Sequence, residues 1–194
     1  MKKLILASSS PRRVELLKKA GFDFEVCPSG IHEVINPTLS PQENATQISK
    51  DKARHGAQKK EGVILAADTF VVCRGKIFEK PKDKNEAFHM IQFFSGVSQD
   101  VITGFTILDT QSQKEISQTV LTRLRFRKLN TKEIKNYIDN NDVTDKSGGY
   151  AIQEIKDPFI EKVQGSFTNV IGLPIEEVIQ ALKACGIEPF DKKK

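Results

Sequence analysis

The stretch that decides the fold is "LILASSSPRR", residues 4–13. Its first four residues, Leu4–Ala7, are all apolar and predict a buried strand. Three serines follow, and Pro11 directly after Ser10 is typical of a helix that begins at Pro11 and ends before Gly21. A buried strand that leads straight into a helix is the building unit of α/β proteins.

The rest of the chain predicts a mixed sheet, because apolar runs and alternating stretches indicate strands and capping signals indicate helix starts. Strands are expected over residues 22–26, 63–67, 70–73, 76–79, 101–108 and 120–129, with short ones in "GGYAIQ" and "PFIEKV". Helices are expected over about 41–60, 84–94, 131–140 and 174–184. We therefore expect an α/β fold with a mixed twisted sheet and flanking helices, in two lobes around a central cleft. Lobe one covers about 1–69 and 146–194, and lobe two about 70–145.

The composition of the 194 residues narrows the class of protein. With 38% hydrophobic and 28% charged residues, the chain is expected to fold as a soluble globule. The formal charge of +5 is mild and forms no long basic stripe, so nucleic acid is not favoured as a partner. The three widely spaced cysteines predict neither a disulfide framework nor a zinc site. No apolar run is long enough for a signal peptide or a membrane span, so we expect a cytoplasmic protein without a membrane partner.

The start of the first helix is a predicted anion site. The N-terminus of a helix has backbone N–H groups without a partner in the helix, and it is the positive end of the helix dipole. Arg12 and Arg13 lie in the first turn, where the dipole opposes cations unless an anion such as a polyphosphate compensates. The alternative is that Ser10 only caps the helix and both arginines are solvated. The glycines of a P-loop are missing.

A second predicted functional position is Asp68, which follows "VILAA" at the carboxyl end of a strand. A carboxylate there can hold a divalent metal or accept a proton from water, although Asp is also a common turn residue. Lys80, aimed by the following Pro81, and Lys52 are candidate functional lysines, although most lysines of this kind are ordinary surface residues. Glu33 is a candidate second metal carboxylate, although loop glutamates are usually solvated. Because GxSxG, HExxH and CxxC are absent, these residues favour phosphoryl or nucleotidyl transfer over acyl transfer.

Six ordered blocks cover nearly the whole chain: "LASSSPRR", "AADT", "EKP", "SG" with "ITG", "DKSGGYAIQ" and "GSFTNVIGLP". Together they resemble the Maf (septum-formation-inhibitor-like) family of nucleoside triphosphate pyrophosphatases. The resemblance implies a fold related to the inosine triphosphate pyrophosphatases, a homodimer in the cytoplasm, and Mg²⁺- or Mn²⁺-assisted hydrolysis of a nucleoside triphosphate to the monophosphate and pyrophosphate. "YAIQ" and the last block are similar to the branch that acts on dTTP, UTP and modified pyrimidine triphosphates.

The resemblance also implies roles for single residues. Asp68 matches the proton acceptor of the family, Glu33 adds a second acid, and both are expected to hold the metal. Lys52 and Lys80 are expected to support catalysis at the phosphates. The implied substrate-binding residues are Ser8, Ser10, Arg12, Arg13, Thr69 and Gln153, of which Arg12, Thr69 and Gln153 match the selectivity positions. The Gln153 amide could read a base edge.

The chain departs from the family pattern at two informative positions. Ser147 stands where the family usually has Ala, an exchange that we expect to be harmless. Gln99 stands where the family has His, and we expect it to alter lobe packing more than chemistry. Two rival functions stay open: a non-enzymatic division regulator or nucleic-acid binder, which would not need Asp68, and an inosine or xanthosine triphosphate pyrophosphatase.

Overall fold

The computed structural model describes residues 2–153 and 159–190. These residues form seven strands and six α-helices, and they confirm the predicted α/β class. The strands are β1 (Leu4–Leu6), β2 (Glu25–Val26), β3 (Val63–Cys73), β4 (Lys76–Phe78), β5 (Ser98–Asp109), β6 (Glu115–Phe126) and β7 (Ile160–Gln164). The helices are α1 (Pro11–Lys19), α2 (Pro41–Lys59), α3 (Lys84–Phe94), α4 (Thr131–Asn140), α5 (Phe167–Ile171) and α6 (Ile175–Lys183). Within the same residues, no helix is both long and apolar enough to span a membrane.

The strands form one mixed sheet in the order β2-β1-β3-β5-β6-β7, with β4 paired to β3. β1 lies parallel to β2 and to β3, whereas the β3–β4 and β6–β7 pairs are antiparallel. β5 and β6 are neighbours joined by a tight connection, in which the Asp109 N–H donates to the Lys114 carbonyl at 3.0 Å. The predicted mixed sheet is therefore confirmed.

Local capping signals fix the helix starts. The Ser40 hydroxyl accepts a hydrogen bond from the Glu43 N–H at 3.2 Å, and the Glu43 carboxylate accepts one from the Ser40 N–H at 2.8 Å. Asn130 and Glu133 form the same reciprocal pair at the start of α4. Each pair satisfies two N–H groups that a helix start leaves without a partner, which is why these boundaries were predictable.

The chain divides into two compact units. Unit one comprises Met1–Asp68, Thr103–Val120 and Gly172–Lys194, and unit two comprises Thr69–Ile102 and Leu121–Ile171. The core of unit one holds small and aliphatic side chains on α2, β1 and β3, including Ala53, Ile5 and Ile64. These small side chains let α2 lie close to the strands beneath it.

Unit two has an aromatic core. The rings of Phe94 and Phe126 meet edge to face at 6.2 Å, and those of Phe126 and Tyr150 at 5.0 Å. Tyr137 packs on Phe159 at 5.3 Å, and its hydroxyl accepts a hydrogen bond from the Ala151 N–H at 3.0 Å. Tilted ring pairs of this kind stabilise a core beyond the area they bury.

Several predicted elements need correction. The strand predicted over 22–26 is only β2, because Gly21 adopts a left-handed turn with φ 85° that turns Phe22 into the core. The strand predicted in "GGYAIQ" is wrong: residues Ser147–Gly149 form a 3-10 turn, and Gly148 has a φ of 76° that a strand does not allow. The "PFIEKV" strand corresponds to β7, although Pro158 lies outside the described residues. The two strands predicted over 63–67 and 70–73 are one continuous strand, and α5 was not predicted.

Candidate active site

Three of the predicted site residues meet in unit one. Lys52 projects from α2, Asp68 ends the unit-one part of β3, and Glu33 lies in the loop before α2. The Lys52 Nζ donates to Asp68 Oδ1 at 2.7 Å and also lies 2.7 Å from Glu33 Oε1. The Lys52 and Asp68 side chains are only 8% and 7% exposed, whereas that of Glu33 is 43% exposed. One buried ammonium group therefore bridges two carboxylates, one buried and one half-exposed.

The second oxygen of Asp68, Oδ2, is also buried. Within the described residues, it accepts no hydrogen bond. Burial raises the pKa of Asp68; the charge of Lys52 opposes this shift, and the charge of Glu33 adds to it. A carboxylate with an unengaged oxygen and an increased affinity for protons can act as a general base.

Arg13, in the first turn of α1, donates hydrogen bonds to three segments of unit one. Its Nε donates to the Gly172 carbonyl at 2.8 Å, and its Nη1 donates to the Ala67 carbonyl at 2.8 Å and to Ser8 Oγ at 3.2 Å. The alternative that both arginines are solvated is thus wrong for Arg13, which is buried. Burial lowers the pKa of Arg13, but a guanidinium stays charged, and its charge lowers the pKa of Asp68.

The serines before α1 make hydrogen bonds that the sequence did not predict. Ser10 occupies the predicted N-cap position, and its carbonyl accepts from the Val14 N–H at 3.2 Å, but its side chain makes no capping hydrogen bond. The buried Ser8 hydroxyl accepts from the Ser10 N–H at 3.3 Å and from Arg13. Arg12 is half-buried. The first-turn N–H groups therefore receive no serine cap, and the predicted phosphate-binding roles of Ser8, Ser10, Arg12 and Arg13 stay predictions.

The remaining predicted residues belong to unit two. Thr69 follows Asp68 directly along β3 and is half-buried, while Lys80 and Gln153 are exposed. The Ser147 hydroxyl donates to the Thr69 carbonyl at 3.0 Å. The roles of Thr69, Lys80 and Gln153 at the substrate stay predictions.

The carboxylates of Asp68 and Glu33 are the side chains considered as ligands of a divalent metal ion. Across the ranges 2–153 and 159–190, no group of three or more His, Cys, Asp or Glu side chains could hold a metal ion by itself. Mg²⁺, however, is often bound by one or two carboxylates together with substrate phosphates. Asp68 and Glu33, whose carboxylates both lie 2.7 Å from the Lys52 ammonium, fit a metal shared with a polyphosphate, and metal binding stays a prediction.

Asn44 is a residue that the sequence reasoning missed. Its side chain is buried, its amide Nδ2 donates to the carbonyls of Asn36, Leu39 and Ser40 at 3.0, 3.1 and 3.1 Å, and its Oδ1 accepts from the Asn36 N–H at 2.7 Å. It thereby fixes the end of the loop that carries Glu33. No spacing motif marks such a residue, since one Asn in the first turn of a helix is common.

Comparison with known proteins places the chain in a family. A family model described as Maf-like protein matches residues 3–185. The "dTTP/UTP pyrophosphatase" of Citrifermentans bemidjiense is 42% identical over 184 residues, which cover 94% of this chain and 95% of that protein. The "dTTP/UTP pyrophosphatase" of Geobacter sulfurreducens is 42% identical over 185 residues, which cover 95% of this chain and 97% of that protein.

A solved structure, that of a HAM1 protein from Coxiella burnetii, aligns over 95% of this chain and 100% of that chain with a TM-score of 0.53. At 12% identity this likeness concerns the fold alone. The match of the family model and the two sequence relatives each cover nearly the whole chain. The chain therefore belongs to the Maf family.

Proposed function

We propose that this protein hydrolyses dTTP, UTP and modified pyrimidine nucleoside triphosphates to the monophosphate and pyrophosphate. Two relatives that share 42% identity with the chain are named dTTP/UTP pyrophosphatase. The observation that carries the proposal is the arrangement of Asp68: Lys52 holds Oδ1 at 2.7 Å, and Oδ2 is buried without a partner in the described part of the chain. A protein that only docks a partner has no need of a buried carboxylate with a raised pKa.

In the proposed reaction Asp68 is the general base. Water attacks the α-phosphorus, its proton moves to Asp68 Oδ2, and the bond from the α-phosphorus to the bridging oxygen breaks so that pyrophosphate leaves. The buried position of Asp68 favours proton uptake, because desolvation disfavours its charged form. The hydrogen bond from Lys52 to Oδ1 orients the carboxylate and leaves Oδ2 for the water.

Positive charge around the phosphates is the second part of the proposal. Lys52 and Lys80 neutralise phosphate oxygens whose charge changes in the transition state, and Arg13 contributes a fixed buried charge. Mg²⁺ or Mn²⁺ bound by Asp68 and Glu33 together with the phosphates would supply further neutralisation of the leaving pyrophosphate. Ser8 and Ser10 offer hydroxyls at the start of α1, where the dipole favours anions.

Selection of the nucleotide is proposed for Arg12, Thr69 and Gln153. A site that hydrogen-bonds one base edge rejects other bases strongly, because its polar groups are then left unpaired.

We further propose that the protein acts as a homodimer in the cytoplasm. Light scattering coupled to gel filtration tests the dimer.

One assay tests the function. The purified protein is incubated with a panel of nucleoside triphosphates and Mg²⁺ or Mn²⁺, and pyrophosphate release is measured. We expect dTTP and UTP to be cleaved fastest and Asp68→Asn to slow turnover at least about a hundredfold. Asp51→Asn is the control, because Asp51 is an exposed carboxylate of unit one that bonds only to Gln47 among the interactions described for it.

The other outcomes separate the rivals. Fastest cleavage of inosine or xanthosine triphosphate would favour that rival activity. Wild-type protein that releases no pyrophosphate from any nucleotide would favour the non-enzymatic alternative. Near-normal turnover by Asp68→Asn would show that Asp68 is not the base.

A further inference from the structure

We propose that Ser147 is a positioning residue for Thr69 and thereby tunes the discrimination between dTTP and UTP. This inference rests on the proposed function. It replaces the expectation that a serine at position 147 has no effect on function.

The hydroxyl of Ser147 holds the main chain at Thr69, the residue that follows the proposed general base Asp68. Ser147 Oγ donates to the Thr69 carbonyl at 3.0 Å, and Thr69 follows Asp68 in β3. A hydrogen bond to a carbonyl fixes the orientation of that peptide group, because the peptide is planar. The ψ angle of Thr69, and with it the direction of its side chain relative to its peptide, is therefore restrained by a side chain 78 residues further along the sequence.

The turn that carries Ser147 has little freedom to move. Gly148 adopts a φ of 76°, and a Cβ at this position would lie 3.1 Å from Val71 Cγ2 and 3.2 Å from Phe94 Cε2. Gly149 has the same φ, and a Cβ there would lie 3.1 Å from Ala87 Cβ. Packing on both glycines keeps the turn rigid, so the Ser147 hydroxyl is presented at a fixed place.

The same turn also holds the segment that precedes Lys80. The Gly148 N–H donates to the Glu79 carbonyl at 2.9 Å. The turn therefore fixes the main chain next to two predicted substrate residues of unit two: Thr69 through a side chain, and Lys80 through the backbone. Only the first of these bonds depends on the identity of a side chain, so only Ser147 can be changed without altering the backbone of the turn.

The test is the Ser147→Ala variant, which removes the hydroxyl and leaves the glycines in place. Loss of one hydrogen bond is expected to change the ratio of kcat/KM for dTTP to that for UTP by about three- to tenfold. The change should lie in KM, with kcat within about twofold of wild type, because the bond between Lys52 and Asp68 is untouched.

Ser95→Ala is the matched control. Ser95 is also a half-buried serine of unit two, and its hydroxyl accepts from the Leu129 N–H at 2.7 Å. This variant is expected to lower the unfolding temperature without changing the dTTP-to-UTP ratio. An equal change of the ratio in both variants would show that the effect is one of general stability.

A binding measurement separates this inference from the proposed function. Dissociation constants of dTMP and UMP are measured by calorimetry for wild type and Ser147→Ala, and their ratio should change by the same factor as the kinetic ratio. Unchanged ratios in both experiments, with an active wild type, would overturn the inference and leave the function standing. A wild-type protein that neither cleaves the triphosphates nor binds the monophosphates would overturn both.

Discussion

Gly104 of β5 lies so close to Ala45 of α2 that no side chain fits between them. A Cβ at Gly104 would lie 2.3 Å from the carbonyl carbon of Ala45 and 2.4 Å from its oxygen. The same helix carries Lys52 about two turns further on. The missing side chain at Gly104 therefore determines how closely α2, and with it the Lys52 ammonium, can approach the sheet.

Replacing Gly104 tests this packing. Gly104→Ala should lower the free energy of unfolding by about 3 kcal/mol, because the atoms in the way are backbone atoms that cannot turn aside. Turnover should fall as α2 is displaced. Gly186→Ala is the control in urea denaturation: its φ of 78° strains an alanine, but nothing lies within 4 Å. A cost at Gly104 no greater than at Gly186 would contradict the packing argument.

The buried pair of Lys52 and Asp68 predicts a strong coupling. Lys52→Met should destabilise the fold by about 3 to 5 kcal/mol, because it leaves a buried carboxylate without its nearest cation. The double variant Lys52→Met/Asp68→Asn should be more stable than Lys52→Met alone, since the uncompensated charge is gone. Chemical denaturation of the four proteins gives the coupling energy. Simple additivity of the two single variants would refute the pairing.

The pKa of Asp68 predicts the acid side of the pH profile. Burial raises this pKa above the ordinary 3.8, and turnover should fall as the pH drops through the raised value, because the base must be deprotonated. Loss of the cation in Lys52→Met should move the midpoint of kcat/KM to higher pH. Loss of the neighbouring negative charge in Glu33→Gln should move it to lower pH. Shifts of the opposite sign would exclude Asp68 as the titrating group.

The stability of the fold also depends on the protonation of Asp68. The folded state binds the Asp68 proton more tightly than the unfolded chain does, because the folded pKa is raised. The contribution of Asp68 to the free energy of unfolding is therefore complete below the unfolded pKa and is lost as the pH rises through the folded pKa. Asp68→Asn should thus have a weaker dependence of stability on pH in this window than wild type, as measured by denaturation across the acid range.

Asn44 should prove essential for the loop that leads to α2. Asn44→Ala removes the partners of three carbonyls and one N–H group, and we expect a loss of about 2 kcal/mol in the free energy of unfolding. Gln47→Ala, an exposed site on the same helix, should cost much less. Equal losses would mean that the Asn44 hydrogen bonds add nothing beyond helix propensity.

Features that depend on neighbours in sequence were predictable. The β1–α1 unit and the capping box at Ser40 follow from local patterns. The predicted position of Asp68 at the carboxyl end of a strand was wrong, because β3 continues past it to Cys73. The strand predicted in "GGYAIQ" was wrong. The alternation of its residues suggests a strand, but the packing around Gly148 imposes a positive φ.

Features that join distant segments were not predictable. Arg13 was placed near phosphate by its position in the first turn, but its bond to the Gly172 carbonyl spans 159 residues and no spacing reveals it. The bond between Ser147 and Thr69 is of the same kind. Residues so far apart along the chain come into contact only in the folded protein, so their spacing in the sequence does not predict the bond.

The aromatic core of unit two has a practical consequence for spectroscopy. The chain has no Trp and two Tyr, and both tyrosines are buried in that core. Tyrosine fluorescence therefore comes from unit two alone, so a label placed in unit one would be needed to observe the unfolding of both units by this type of signal. Burial also raises the pKa of Tyr150 well above its usual range, so its emission should persist in alkaline buffers that ionise exposed tyrosines.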